Sequence, residues 1–193
     1  WQKAARKYAG VENGWTVFTE SSLFGGMSIW GTNYFVANAW YCSHLWQHYR
    51  YTLDKAFLAK AFPAMWSCAQ FWFERMKVAQ DGTYEAPDEY SAEQNSHPKE
   101  DGTAHAQQLI HYLLMSVDEA QNILGSKVTG LTKEDVAKLK DYLAKTDKGL
   151  HTEVYDARTD KHRAWVDGRN GINKGDIILR EWKYSPYHVS DDP

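Results

Sequence analysis

Four carboxylates, Glu85, Asp88, Glu89 and Glu93, fall within the twelve residues 84–95, YEAPDEYSAEQN, a stretch with neither helical nor strand periodicity. Acid at this density has one ordinary role, that of a solvated surface turn. It also suits cleavage of a glycosidic bond, which needs a carboxylic acid to protonate the leaving oxygen and a second carboxylate to activate water or attack the anomeric carbon. Such an acid is useful near neutral pH only when partial burial raises its pKa. Glu93 fits that condition best of the four. Tyr90, Ser91 and Ala92 precede it and can exclude water, and Gln94 and Asn95 follow it with amides able to hold a carboxyl or a sugar hydroxyl. Glu93 is therefore the candidate general acid, and Tyr90 and Asn95 are candidate substrate contacts. In that arrangement Asp88 and Glu89 are loop-shaping or solvated.

Aromatic residues make up 15% of the chain, with nine Trp, twelve Tyr and seven Phe. Rings this dense fill a core or line a cleft, and their flat faces suit the C–H faces of sugars. Trp30 and Trp182 lie in Gly-flanked or polar stretches, where core packing is less automatic, so each is a candidate sugar platform. His44 and His48 share one helix face at a four-residue spacing able to bind zinc, but no Glu follows the first His and no third ligand is evident. Packing explains that pair better, and no metal is expected. No Gly-rich phosphate loop or Ser-His-Asp pattern stands out, so no cofactor is expected either.

These residues must be positioned by the rest of a 193-residue, 22.2 kDa chain, long enough to bury roughly 70% of its unfolded surface. A net charge of −3 with the two signs interspersed argues against nucleic acid and anionic membrane as partners. No run of 18 apolar residues offers a conventional spanning helix. Cys42 and Cys68 fall in helical runs and read as small buried hydrophobes.

Apolar spacings of three and four predict helices over 33–51, 54–77, 103–124 and 131–147. Asp54 caps the second and Thr132 with Asp135 opens the fourth, whereas Gly125 ends the third. Pro63 should kink or restart the second helix. Residues 78–103 form a long connection, and such loops in compact domains are usually functional. Beyond Lys148 only Ile177, Ile178 and Leu179 make an apolar patch. Helical hairpins joined by long loops, without a visible sequence repeat, predict an all-α fold, a helical toroid whose connections gather at one end.

The run GTNYFVANAWYCSHLWQHYRYTLDKAFLAKAFPAMW resembles the helical pair of glycoside hydrolase family 95, which typically reads GGAWLCQHLWEHYRYTGD followed by an apolar helix with Ala-Tyr-Pro. Tyr90-Ser91-Ala92-Glu93 resembles the family's Tyr-Ser-Pro-Glu motif, whose Glu is the general acid, with Ala92 where Pro is usual. Gly102-Thr103, Gln107-Gln108-Leu109-Ile110 and Leu179-Arg180-Glu181-Trp182 match later motifs in the same order. The resemblance covers most of 14–193. It implies an (α/α)6 barrel, inverting hydrolysis of terminal α-L-fucosides or α-L-galactosides, Glu93 as acid and a secreted or periplasmic setting. The family's upstream Asn-rich segment, its His-Arg-His motif and its later catalytic Asp have no counterpart here. The chain thus resembles one fragment, 1–193, from the middle of the catalytic barrel, inert alone and partnered by the rest of the same enzyme chain.

Three readings follow. The first is that inverting exo-glycosidase, acting on oligosaccharides or polysaccharide side chains. The second is a polysaccharide lyase on a similar toroid, in which Tyr90 with His97 or His105 removes a proton beside a uronic acid. A lyase cleft for an acidic polymer should be basic, whereas 78–103 is acidic. The third is a carbohydrate-binding module without chemistry.

Overall fold

In the computed structural model, the residues described are 1–17, 34–91, 99–155 and 173–185. A short turn α1 (Gln2–Ala4) continues into a π-helical turn (Ala5–Ala9). The long helices are α2 (Ala37–Thr52), α3 (Lys55–Arg75), α4 (Ala104–Leu124) and α6 (Lys133–Lys145), with the single turn α5 (Ser126–Thr129) between the last two. Each long helix lies within a few residues of the span that its apolar spacing predicts. The fold is all-α, with two small two-stranded ladders among the described residues: β1 (Lys77–Val78) against β2 (Tyr84–Glu85), and β3 (Thr152–Val154) against β4 (Ile177–Leu179), both antiparallel.

Local chemistry sets the corners. Leu53 takes a left-handed conformation and returns its N–H to the Tyr49 carbonyl at 2.7 Å, which closes α2. The next residue, Asp54, accepts from the amides of Ala56 and Phe57 at 2.8 and 3.0 Å and so opens α3. A link this short forces α3 back along α2. Thr132 and Asp135 form the expected reciprocal capping box at the start of α6. Pro63 does not restart the helix, because α3 runs on through it. The lost helical hydrogen bond costs about 3 kcal/mol. Leu58, Phe62, Met65, Phe71 and Trp72 are all buried on the same helix, and each contributes about 1.5–3 kcal/mol. Burial wins.

The core lies where α2, α3 and α4 meet, with Trp46, Trp72, Ile110, Leu113 and Leu114 at its centre. One polar bridge crosses it: Trp72 Nε1 donates to Asn38 Oδ1 at 2.9 Å, and Asn38 Nδ2 donates to the Trp15 carbonyl at 2.9 Å. α6 packs on α4 through Leu139 and reaches β2 by stacking Tyr142 on Tyr84, with ring centroids 4.3 Å apart.

The ends of the helices are sorted. Arg75, at the C-terminus of α3, covers the ring of Phe35 just before α2, and His105 in the first turn of α4 pairs with Tyr34. Thr146, following α6, bridges to Tyr84. The starts of α2 and α4 and the ends of α3 and α6 therefore share one side of the molecule, as alternating hairpins require. The described parts of the long connections, 76–91, 99–103 and 146–155, and the segment 177–185 meet on that side. The short corners lie on the other.

A buried side chain, Gln107, joins this loop layer to the helices. Its Nε2 donates to the carbonyls of Tyr84 and Asp147 at 3.1 and 2.9 Å, and its Oε1 accepts from the Ala86 amide at 2.8 Å. Gly149 comes close by: a Cβ there would lie 2.6 Å from the Ala104 carbonyl, and its φ is +64°. Gln107→Leu leaves three backbone groups without these partners, so a loss of about 2–4 kcal/mol is expected in denaturant unfolding of the full-length protein. A loss below about 0.5 kcal/mol would show that water replaces the amide at little cost.

Candidate functional site

The segment 180–185 runs across the loop layer and is tied down at every step. Arg180 pairs with Glu153 at 3.5 Å. Glu181 accepts the Ala104 amide on its main-chain oxygen at 2.8 Å, and Trp182 is buried. Lys183 lies between three carboxylates, with Asp147 at 2.9 Å and Asp81 and Glu85 each at 3.2 Å. Burial opposes the charge of Lys183, but hydrogen bonds to Asp147, Asp81 and Glu85 hold its pKa well above the ordinary lysine range. Tyr184 donates its hydroxyl to Glu85 at 2.7 Å and its amide to Glu100 at 2.6 Å. Its pKa is pushed up to about 12 by burial and by Glu85. Thr83 donates from its hydroxyl and its amide to Asp81, which brings that carboxyl down to about 2.

The acidic stretch enters this layer from β2. Residues 89 and 100 exchange backbone hydrogen bonds at 3.1 and 3.2 Å, so the intervening loop leaves and returns at one point. Asp88 is exposed and pairs with Lys99 at 3.2 Å, as a loop-shaping residue would. Glu89 corrects the expectation of a solvated carboxylate: its side chain is 0% exposed, with Arg75 at 3.3 Å. Burial pushes its pKa up to about 8, against the pull of the Arg75 guanidinium, the Val36 amide and Lys99. Arg75 also donates to the Pro87 carbonyl at 2.9 Å, which fixes the turn before Glu89.

Beyond Glu89 the chain opens towards a cluster of polar and aromatic groups. Tyr90 is 40% exposed, with Lys99 Nζ 5.0 Å from its ring centroid. Ser91 donates its hydroxyl to Glu181 Oε1. Close to Glu181 stand His105 and Tyr34, hydrogen-bonded to each other. Burial lowers the His105 pKa while Glu181 opposes that fall, and burial raises the Tyr34 pKa with Glu89 and Glu181 acting in the same sense. Trp40, 47% exposed, sets its ring edge-on to His105 at 6.1 Å. An uncharged histidine, a protonated phenol and exposed rings together can bind hydroxyl-rich ligands, while Glu181 is engaged by Ser91 and Glu89 is buried against Arg75.

Of the residues singled out from the sequence, Tyr90 lies in this cluster, whereas Glu93, Asn95 and Trp30 lie outside the described residues. Trp182 corrects the expectation of a sugar platform, because at 2% exposure its ring has no open face and serves as an anchor of the segment. The Ile177 to Leu179 patch forms the edge ladder β4, with Ile177 and Leu179 exposed. His44 packs against Tyr41, and His48 against Phe57 at 4.1 Å between ring centroids. Among the described residues no group of three His, Cys, Asp or Glu side chains is placed to hold a metal. A separate groove of about 670 Å³ along α3, lined by Trp1, Trp15 and Pro63 among others, contains no carboxylate and lies apart from this cluster.

Sequence reasoning missed Glu181, Glu89 with Arg75, the Tyr34–His105 pair and Lys183. Glu181 was visible within the Leu-Arg-Glu-Trp motif, where an acid beside a Trp was the available signal. The others join residues far apart in the chain and carried no local mark.

Glu89 supplies a test through stability. An unfolded glutamate titrates near 4.3, so between about pH 4.3 and 8 the folded protein binds the extra proton and loses stability as pH rises. Glu89→Gln is neutral throughout and removes that contribution. Melting temperatures of the full-length protein at pH 5 and pH 8.5 should therefore show the variant gaining on the wild type as pH rises. A constant difference across that window would mean that Glu89 is ionised beside Arg75 from the start.

Residues 1–165 match the glycosyl hydrolase family 95 catalytic domain. The chain is 26% identical over 192 residues to a probable alpha-fucosidase A of Aspergillus niger, covering 94% of this chain and 23% of that protein. It is 31% identical over 77 residues to alpha-L-fucosidase 2 of Arabidopsis thaliana, covering 36% of this chain and 9% of that protein. The chain thus spans less than a quarter of the length of either relative. With the family model matched across most of its length, and with helical hairpins that present their long loops on one side, the chain belongs to the glycosyl hydrolase family 95 catalytic domains.

Proposed function

We propose that the full-length protein is a glycoside hydrolase that removes terminal α-L-fucosyl, or α-L-galactosyl, residues from oligosaccharides or polysaccharide side chains by an inverting mechanism, with Glu93 as general acid. Family membership and the fucosidase names of two relatives support the substrate class. The observation that carries the reading is the anchoring of the acidic loop. Its base is fixed by the 89/100 bridge and its approach to Glu93 by the bond from Ser91 to Glu181, beside exposed Tyr90 and Trp40.

In this reaction Glu93 gives its proton to the glycosidic oxygen as the bond to the anomeric carbon breaks. Water adds to the opposite face of that carbon, and a second carboxylate takes its proton. That base comes from elsewhere in the full-length protein, because the other acids of 84–95 have other duties: Glu85 binds Lys183 and Tyr184, Asp88 pairs with Lys99, and Glu89 is buried. An inverting pair of carboxyls stands about 6.5–9.5 Å apart, leaving room for the water. Tyr90 and Asn95 contact the sugar, and no cofactor takes part. Fucose and galactose in this series differ only in the C5 substituent, so one or two contacts decide between them.

The lyase reading is weakened by charge. His105 pairs with Tyr34 and not with Tyr90, and the Glu181 carboxylate lies beside that pair, which repels a uronate polymer.

Glu93→Gln in the full-length enzyme should lower kcat on natural linkages, whose leaving groups are poor, by about 10²–10⁴-fold, the usual worth of a general acid. Aryl glycosides with activated leaving groups need little protonation and should lose much less. Equal and small losses on both substrates would remove Glu93 from the role of acid.

A further inference from the structure

Three parts of the loop layer meet at Glu181. Its main-chain oxygen accepts from Ala104, the first residue of α4. Its carboxylate accepts from Ser91, and its charge reaches Tyr34 and His105. The backbone that presents it cannot drift. Arg180 is paired with Glu153, Trp182 is buried and Lys183 is held by Asp147, Asp81 and Glu85. A hydroxyl bonded to a carboxylate is about twice as strongly held as one bonded to a neutral group.

We infer that Glu181 is a positioning residue: by accepting the Ser91 hydroxyl it fixes the segment that carries Glu93, two residues further along the chain. Two residues span at most about 7 Å, so an anchor at Ser91 restricts where the Glu93 backbone can go. Glu181 touches no substrate in this scheme and acts through Ser91 alone. Ser91 is thus the link between a motif near residue 180 and the chemistry near residue 93. The inference deepens the proposed function and rests on Glu93 being the acid.

Hydrogen exchange and kinetics of the full-length protein test it together. In Glu181→Ala the peptide covering 86–95 should exchange about tenfold faster, while peptides from α2 and α3 stay as in the wild type. Glu181→Gln keeps an oxygen for the Ser91 hydroxyl and should restore most of the protection, and Ser91→Ala should reproduce the alanine variant without disturbing the segment 180–185. On a substrate with a poor leaving group, Glu181→Ala should lower kcat about tenfold with KM little changed, and by less than about twofold in a Glu93→Gln background, because the two residues act as one unit. Unchanged exchange in both Glu181→Ala and Ser91→Ala overturns the inference, as does the same kinetic loss on both backgrounds. Faster exchange that the glutamine variant reverses, found together with no leaving-group signature in Glu93→Gln, keeps the anchor and overturns the assignment of the acid instead.

Discussion

One buried ammonium organises the functional side of this molecule. Lys183 comes from the last described segment, and its partners come from three other places: Asp81 from the β1–β2 turn, Glu85 from β2 and Asp147 from the end of α6. Three carboxylates around one lysine would repel each other, and taking two of them, Glu85 and Asp147, out of water is costly unless each finds a donor. They do find donors. Glu85 also receives Tyr184, Asp81 receives Thr83, and Asp147 accepts the Gly149 amide at 2.8 Å. Removing the ammonium would leave the buried Glu85 and Asp147 facing each other with the half-exposed Asp81 beside them, so segment 180–185 and the loops beneath it hold one another in place. Glu181 and its bond to Ser91 follow from that arrangement, since Glu181 stands two residues before the lysine.

The helical scaffold serves this layer by its alternation. Short corners on one side, closed by Leu53, Asp54 and the Thr132–Asp135 box, leave the described parts of the long connections on the other. Gln107 then extends the helical side of the interface into the loops, acting as a surrogate strand for Tyr84, Ala86 and Asp147. An acid loop built on these supports starts from a fixed base. Pre-organisation of that kind matters for a general acid, because a misplacement of about 1 Å costs roughly 10²-fold in rate.

What could be read from the sequence was whatever is local. Spacings of three and four marked the long helices, and caps at Asp54 and Thr132 marked two of their starts. Pro63 does not restart α3, because its cost is local while the burial that offsets it is spread along the helix. The ladders β1–β2 and β3–β4 are two or three residues per strand, too short for alternation to register. Glu89 was the clearest failure: among neighbouring acids nothing local distinguishes the one that folds inward onto Arg75 from the one that stays in water. Trp182 failed for the opposite reason, as a ring in a polar segment whose burial comes from contacts distant in sequence.

If the acidic loop places Glu93 on one face of the sugar and the base comes from another part of the full-length protein, the reaction must invert the anomeric centre. Proton NMR of the first-formed sugar, recorded before mutarotation sets in, tests this most directly. The account predicts that an α-L-fucoside releases β-L-fucose first. Release of α-L-fucose first would contradict it, and would require a nucleophilic carboxylate about 5–5.5 Å from the acid in place of a water held between two distant groups.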